Sequence, residues 1–359
     1  MIQLPHWQVD GERFNSQFLA WRTASRKNTK PSFYFYEEEY DKLNWTQEPK
    51  ESWDDICYER CFVLRERYKK LSLMYSAGRD SHHILRCFLK FKIPLDELII
   101  LKAHFLSTNK KIEFENYIVP QAKKFLEYFP QCKITVLEDD SSLYENYFKN
   151  DFLEKKNSAF ANGMFITTLP FRLSAIKHDL HDNGFIFGVD KPRILLEDGK
   201  YYSTVIDKTI EFFMADFPNV EFFYYAPDMP KIHLKQSWML LNHLEKNYAD
   251  ITSDFLIDYC GNSFSDKYDE LCVASGRGPA WNVGLDMQNG KNKYKGAGHS
   301  KPMQDVLKYE LSTNLEAAWN YRTAMQEMQE KYSHIFNNND PLSGTIGIYA
   351  KKYYMKDAK

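Results

Sequence analysis

Short apolar runs that alternate with helical segments restrict the possible folds of this chain more than any other feature of its sequence. Each run carries few charges, and they are Leu71–Tyr75, Leu98–Leu101, Lys133–Leu137 and Gly184–Gly188. Segments with helical periodicity lie before and between them, at 53–70, 81–90, 112–129 and 165–181. This order is typical of parallel strands covered by helices on both faces. The sequence therefore predicts an α/β fold with a doubly wound, mostly parallel sheet.

The pattern changes after residue 205. Val220–Tyr224 suits one more strand or the end of a helix, and further helices are expected at 235–247, 253–259 and 302–334. The Gly-, Asn- and Lys-rich segment 271–300 is predicted to be a loop. We expect an N-terminal extension with one helix near 12–25, then an α/β domain, then a mostly helical C-terminal region. Their bounds are 1–52, 53–230 and 231–359.

The bulk composition argues against some classes of function. With a net charge of −2 and a pI near 6.6, the chain lacks the strongly basic footprint of a dedicated duplex-binding protein. Nucleic acid remains a candidate partner only if the protein has a local basic channel. No apolar run approaches the about 20 residues that a membrane-spanning helix needs, so a membrane is not expected as a partner.

Six cysteines are scattered over the chain, and its first residues show no apolar signal region. This pattern predicts free thiols in a reducing cytoplasm. Cys57 and Cys61 are four residues apart on one helical face, but no second pair at zinc-ligand spacing accompanies them. We therefore interpret them as buried helix thiols.

The residues between the first apolar run and its helix have the composition of a phosphate loop. They read Ser76-Ala77-Gly78-Arg79-Asp80-Ser81. A turn at the carboxyl end of such a strand directs backbone N–H groups outward, and the helix N-terminus adds partial positive charge. Gly78 permits close approach of a ligand, and Ser76 and Ser81 add hydroxyl donors. The spacing matches neither G-x-x-x-x-G-K-[ST] nor G-x-G-x-x-G, which excludes the two commonest nucleotide loops.

The loop resembles the S-G-G-x-D-S sequence of the PP-loop ATP pyrophosphatases, a superfamily that includes asparagine, GMP and NAD synthetases and tRNA-modifying enzymes. Ser76, Gly78, Asp80 and Ser81 match, whereas Ala77 replaces the first glycine. The resemblance implies a Rossmann-like fold of the HUP type, with 53–230 as the ATP-binding domain. It also implies that the residues from Ser76 to His82, including Arg79, hold the pyrophosphate of ATP. Asp80 would place Mg²⁺ while ATP is cleaved to AMP and pyrophosphate.

A second match follows the fourth apolar run. There the resemblance implies an acidic residue that faces the metal and the pyrophosphate, and Asp190 stands at the expected position. Lys191 and Arg193 would neutralise phosphate charge as pyrophosphate leaves. The same resemblance implies an adenine and ribose pocket, formed by Tyr75, Lys102, His104 and Gly188.

A third segment, Pro227-Asp228-Met229-Pro230 followed by a helix at Lys235, resembles one in asparagine-synthetase-like PP-loop proteins of phages. On that resemblance Lys235 is a candidate ligand of a substrate carboxylate or phosphate. Residue 2 is Ile, where the glutaminase domain of asparagine synthetases has its nucleophilic cysteine. We therefore expect a synthetase domain without a glutaminase, which uses free ammonia, an amine or a partner protein.

The resulting expectation is a cytoplasmic ligase that uses ATP and Mg²⁺ to adenylate a carboxylate or carbonyl for attack by ammonia or an amine. Its partner would be a small-molecule or nucleobase substrate. The sequence leaves open whether the protein forms a homo-oligomer. One alternative is a PP-loop enzyme that modifies a nucleobase, nucleotide or nucleic acid, including by sulfur transfer. However, Cys57, Cys61 and Cys87 make no convincing persulfide pair in the sequence. The other alternative is a catalytically degenerate nucleotide-binding module.

Overall fold

The computed structural model of the protein describes residues 4–14, 20, 23–24, 26–102, 114–138, 182–188, 192–207, 219–261, 268–277 and 348–358. In chain order the strands are β1 (His6–Val9), β2 (Glu12–Phe14), β3 (Ser32–Tyr34), β4 (Lys70–Met74), β5 (Glu97–Lys102), β6 (Lys133–Glu138), β7 (Asn183–Phe187), β8 (Arg193–Glu197), β9 (Lys200–Thr204), β10 (Val220–Phe222) and β11 (Tyr353–Asp357). The helices are α1 (Glu37–Tyr40), α2 (Trp53–Arg67), α3 (Arg79–Lys90), α4 (Val119–Tyr128), α5 (Lys231–Asn247), α6 (Ser253–Gly261) and α7 (Tyr268–Ala274). A π-helical turn, Phe114–Ile118, leads into α4.

Five parallel strands form the central sheet, in the order β10-β7-β4-β5-β6. β4 comes first in the chain and lies in the middle, and later strands are added on one side and then on the other. The doubly wound parallel fold predicted from the sequence is therefore confirmed. The reversal falls between β4 and β7, which is where open α/β sheets bind their ligands.

The inner strands are buried along most of their length, which explains why their sequences are apolar runs. Residues 71–74 of β4 and 184–187 of β7 are all buried. The helix before β4 begins at a capping box, in which Asp55 N donates to Ser52 Oγ at 3.1 Å and Ser52 N donates to the Asp55 carboxylate at 3.2 Å. This cap fixes the start of α2 and hence the position of its buried face against α3.

The N-terminal extension contains a three-stranded antiparallel sheet of order β2-β1-β3. The helix predicted near 12–25 is wrong at Glu12–Phe14, because these residues form β2 and pair with β1. Asp10 and Gly11 join the two strands with positive φ angles of 50° and 79°. An Asp-Gly pair between short strands is a strong hairpin signal, and here it decides the local structure.

A second antiparallel sheet has the order β11-β9-β8. β8 and β9 lie between β7 and β10 in the chain, whereas β11 is formed by residues 353–357. Asp198 and Gly199 join β8 to β9, again with both φ angles positive. β11 shows that part of the region expected to be mostly helical is a strand. No helix among the described residues is long and apolar enough to cross a membrane.

The helices predicted at 235–247 and 253–259 are present as α5 and α6. The loop predicted from 271 is wrong at its start, because Leu271–Ala274 is the last turn of α7. Gly276, with a φ of 83°, follows this helix in the left-handed conformation that commonly ends helices. The helices predicted at 165–181 and 302–334 lie outside the described residues.

A buried ionic network joins α2 to β10. Glu221 accepts hydrogen bonds from Arg60 at 2.8 Å, from Arg67 at 2.5 Å and from the Tyr68 hydroxyl at 2.7 Å. Asp228, in the turn before α5, pairs with the same two arginines. Because Arg60 is fully buried, its charge depends on these carboxylates for compensation.

Replacing Glu221 with Gln should lower the free energy of unfolding by about 3 kcal/mol, because it leaves much of the Arg60 charge uncompensated in the interior. Glu197 provides the control, since its carboxylate pairs with Lys352 at 2.6 Å on the surface. Glu197→Gln should cost less than about 1 kcal/mol. Chemical denaturation measures both, and equal losses would contradict the role assigned to the network.

Candidate functional site

The loop between β4 and α3 folds back on itself through its two serines. Ser76 N donates to Ser81 Oγ at 3.2 Å, and Ser81 Oγ donates to Gly78 O at 3.3 Å. Gly78 N donates to Ser76 Oγ at 3.3 Å, and the two hydroxyl oxygens are 3.2 Å apart. Gly78 is the N-cap of α3, so Ser81 lies in the first turn of the helix and does not cap it. The loop thus carries both hydroxyls to the positive end of a helix dipole at the switch point of the sheet.

Ala77 is the residue at which the loop departs from the PP-loop pattern, and its backbone is unusual. Its φ is +52°, in the left-handed region that glycine adopts without strain. A non-glycine residue there costs roughly 1–2 kcal/mol. The side chain is 2% exposed. The structure therefore keeps a glycine-like turn at this position although the residue is alanine.

Gly188, directly after β7, lies against the first turn of α3. A Cβ at this position would come within 2.8 Å of Ile84 Cδ1 and 2.9 Å of both Asp80 C and Ser81 N. Two of these atoms belong to the backbone and cannot turn aside. Only glycine therefore lets the end of β7 and the start of α3 come this close, which places Gly188 beside the phosphate loop.

Asp80 has a buried cationic partner that the sequence analysis missed. Arg277, three residues after α7, donates from Nε to Asp80 Oδ1 at 2.5 Å and from Nη1 to Ser275 Oγ at 2.7 Å. Its guanidinium lies 4.2 Å from the centre of the Tyr224 ring, and its side chain is fully buried. Although burial alone would lower the pKa of Arg277, the Asp80 carboxylate raises it above its usual range. The carboxylate predicted to place Mg²⁺ is thus neutralised by an internal arginine.

The sequence alone does not predict the contact between Arg277 and Asp80, because 197 positions separate the two residues. Arg277 belongs to the Gly-rich stretch Ser275-Gly276-Arg277-Gly278-Pro279, which reads as a basic loop exposed to solvent or to a polyanion. The structure corrects that interpretation for residues 275–277. Gly276 has a positive φ, and its backbone passes so close to the Trp53 ring that a Cβ would lie 2.6 Å from Trp53 Nε1. The turn brings Arg277 inward onto Asp80.

Three further residues assigned to ATP, namely Tyr75, Arg79 and His82, lie beside this loop or at the start of α3. The Tyr75 hydroxyl is 3.0 Å from His82 Nδ1, and both side chains are buried. Burial, assisted by the charge of Arg86, lowers the pKa of His82 to about 4. His82 is therefore neutral at pH 7, so it can offer a phosphate a hydrogen bond but no charge. Arg79, the first residue of α3, is also buried.

The remaining predicted site residues are spread more widely. Lys102 lies at the end of β5, where its Nζ donates to Glu138 Oε1 at 2.8 Å. Arg193 begins β8 and pairs across the second sheet with Thr204. Lys235 Nζ contacts Glu48 Oε1 at 2.7 Å and Pro49 O at 3.0 Å, both in the segment before α2. His104, Asp190 and Lys191 lie outside the described residues, so their roles stay predictions.

Comparison with known proteins adds little beyond this geometry. No family model matches the sequence, and no curated protein matches it. Among solved structures, the chain is similar to an NH3-dependent NAD synthetase from Campylobacter jejuni, with 14% identity and a TM-score of 0.29. The match covers 72% of this chain and 96% of that one. The likeness to asparagine synthetases and phage proteins gains no support from these comparisons and stays a prediction from the sequence. The α/β fold rests on the strand order and register of this chain.

Changing Ala77 tests the left-handed turn. Ala77→Gly removes the φ strain but makes the unfolded chain more flexible, so the free energy of unfolding should change by less than about 1 kcal/mol. Ala77→Val should lower it by about 2 kcal/mol or more, because a β-branched residue fits this region poorly. Urea denaturation distinguishes the two variants. If valine were tolerated as well as glycine, the turn assigned to Ala77 would be wrong.

Gly188→Ala should push the first turn of α3 away from β7. We expect a loss of about 1–3 kcal/mol in the free energy of unfolding, as for other overpacked positions. We also expect weaker binding of inorganic pyrophosphate, measured by calorimetry. Gly199→Ala is the matched control, because a Cβ there meets nothing within 4 Å although φ is +70°. It should cost about 1 kcal/mol through backbone strain alone and leave pyrophosphate binding unchanged.

Proposed function

We propose that the protein is an ATP-dependent, AMP-forming ligase that adenylates a carboxylate or carbonyl for attack by ammonia or an amine. The observation that carries the proposal is the position of the loop with Ser76 and Ser81, which lies at the switch point of the sheet and opens a helix. Such a site presents backbone N–H groups, hydroxyls and a helix dipole to an anion. The S-x-G-x-D-S pattern favours the pyrophosphate half of ATP as that anion.

The chain offers donors suited to each part of bound ATP. The hydroxyls and backbone N–H groups from Ser76 to His82 would hold the pyrophosphate. Tyr75, Lys102, His104 and Gly188 would surround the adenine and ribose. Lys191 and Arg193 would balance negative charge as pyrophosphate leaves, and Lys235 would bind the activated substrate. A domain that resembles asparagine synthetases in this way would take its ammonia or amine directly, from solution or from a partner.

Carboxylate oxygens are the ligands that Mg²⁺ takes from proteins, together with phosphate oxygens of the substrate, so Asp80 is suited to this ion. The side chain of Asp80 is 14% exposed and lies at the phosphate loop, with Arg277 on one oxygen. Asp80 and Asp190 would hold the ion with the nucleotide. When bound, Mg²⁺ supplies charge neutralisation, and Arg277 holds the Asp80 carboxylate in one orientation.

The reaction is tested by incubating the full chain with ATP, Mg²⁺ and a panel of carboxylates, with ammonia or amines as acceptors. We expect AMP and pyrophosphate in equal amounts, without ADP, in the presence of the correct pair. ADP as the product would contradict the proposal, because it would mean transfer of the γ-phosphate. ATP binding without AMP or pyrophosphate for every pair would also contradict it.

A second candidate function is a nucleotide-binding module without catalysis. The specific observation that favours it is the buried Arg277, which already occupies Asp80 Oδ1 at 2.5 Å. A carboxylate that serves only to hold this arginine would be structural. The assay for AMP and pyrophosphate separates the two functions, and the following variants test whether Asp80 acts in catalysis.

Asp80→Asn should reduce pyrophosphate release by about 100-fold or more, because it removes a carboxylate that would hold Mg²⁺ at the reacting phosphates. It should also destabilise the fold, since it leaves Arg277 buried without its partner. The double variant Asp80→Asn with Arg277→Met removes both charges and should recover much of the lost stability. If Asp80 acts in catalysis, activity stays low in the double variant. Activity that returned with stability would show a purely structural role.

A further inference from the structure

Three side chains that the proposed reaction does not use meet behind the phosphate loop. They are Cys57 on α2 and His83 and Cys87 on α3, and their ligand atoms all lie within 4.8 Å of one another. His83 and Cys87 are four residues apart and so project from one face of the helix. Cys57 is fully buried and Cys87 is 5% exposed. In the sequence Cys57 stands one turn from Cys61 on its own helix, whereas in the structure it lies beside His83 and Cys87 on the next helix.

The hydrogen bonds of Tyr224 favour one tautomer of His83. The Tyr224 hydroxyl lies 3.3 Å from the backbone oxygen of Asp80, and a carbonyl can only accept. A hydroxyl that donates there accepts from His83 Nδ1, which lies 2.9 Å away. In this tautomer Nδ1 carries the imidazole proton, and Nε2 keeps its lone pair. Nε2 is the imidazole nitrogen nearer to the Cys87 sulfur, at 3.6 Å compared with 3.9 Å for Nδ1.

One separation in this cluster matches that of a tetrahedral metal site. Zinc binds sulfur at about 2.3 Å and imidazole nitrogen at about 2.0–2.1 Å, which sets the two ligand atoms about 3.6 Å apart at a tetrahedral angle. The observed separation of Cys87 Sγ and His83 Nε2 is 3.6 Å. A histidine ligand whose other nitrogen donates to a fixed acceptor is the usual second shell of such sites, and Tyr224 provides that acceptor here.

The neighbours of the cluster hold it in place. The Trp53 ring stacks on His83 with centroids 5.9 Å apart and on Tyr224 at 6.4 Å. Trp53 Nε1 donates to Gly276 O at 2.7 Å, which fixes the indole over the imidazole. The His83 ring is thus held by packing and hydrogen bonds. Cys87 Sγ lies beside this ring, 3.6 Å from Nε2 and 3.9 Å from Nδ1, so a rotation of the Cys87 side chain would bring its sulfur toward an ion on the axis of the Nε2 lone pair.

We propose that Cys57, His83 and Cys87 bind a zinc ion. Two thiolates and an imidazole favour zinc over the hard cations that accompany ATP. Binding would replace the thiol protons with the metal and release them to solvent. A water or small anion would complete the tetrahedron. The ion would join α2 to α3, and the hydrogen bonds through Tyr224 would connect it to the backbone of Asp80 in the phosphate loop.

The full chain, reduced and stripped of metal by a chelator, is titrated with Co²⁺ and then with Zn²⁺. We expect one equivalent of Co²⁺ to give the visible bands of a tetrahedral site and thiolate charge-transfer bands, and Zn²⁺ to abolish both. Failure of the reduced protein to take up either ion would overturn the proposal. So would a disulfide between Cys57 and Cys87 that persists in the presence of excess Zn²⁺ and reductant.

Variants identify the ligands. Cys57→Ser and Cys87→Ser should each weaken zinc affinity by at least about 100-fold, as measured by competition with a chromogenic chelator. Cys61→Ser is the matched control, because Cys61 lies one turn along α2 from Cys57 and is also fully buried. It should bind zinc as the unaltered chain does.

Tyr224→Phe keeps the three ligands but removes the acceptor for His83 Nδ1, and should weaken binding by about 10-fold or more. Circular dichroism confirms that each variant is folded. Equal zinc affinity in the Cys57, Cys61 and Cys87 variants would overturn the assignment. Because metal uptake is measured without ATP, its failure would leave the proposed ligase activity unaffected, and the reverse also holds.

Discussion

The close approach of β7 to the first turn of α3 is the contact on which the candidate site depends. Gly188 permits it by leaving room for the Asp80 and Ser81 backbone. The start of this helix carries Ser81, the Asp80 carboxylate and the imidazole of His83, and Ser76 lies in the loop just before it. Tyr224 connects these groups by bonding to both Asp80 O and His83. One turn of helix therefore supports the anion site on one side and the thiol cluster on the other.

The sequence predicted those strands and loops whose structure depends on residues close together in the chain. The strands β4 and β7 are buried apolar runs, and the loop after β4 follows from its own serines and glycine, so both were predicted. The hairpin at Asp10 and Gly11 was also a local signal, but it was outweighed by a helical interpretation. Arg277 and the pairing of Cys57 with Cys87 could not be predicted in this way, because tertiary packing joins residues far apart in the chain. The His83 and Cys87 spacing was the one available sign of the cluster.

Two buried arginines of this fold form ion pairs with carboxylates on other secondary-structure elements. Arg60 with Glu221 and Arg277 with Asp80 are both ion pairs whose arginine is fully buried. Without its carboxylate each arginine would be an uncompensated charge in the interior, so each pair holds two distant elements together. The two pairs differ in their position relative to the phosphate loop. Glu221 lies on the edge strand β10, whereas Asp80 lies at the switch point of the sheet, directly after the loop. The first pair serves the fold alone, and the second also orients a group at the candidate site.

The segment before α2 touches the last described strand, and this has a consequence for how the protein folds. The rings of Trp45 and Tyr353 stack with centroids 4.5 Å apart, and Lys351 pairs with Asp41 across 310 positions. Contacts of such sequence separation are slow to form, because a long stretch of chain must be closed before they contribute. During synthesis, Trp45 and Asp41 would remain without these partners until residues 351–353 have left the ribosome. The described strands of the central sheet precede those residues in the chain, so we expect β11 to dock beside β9 after that sheet has formed.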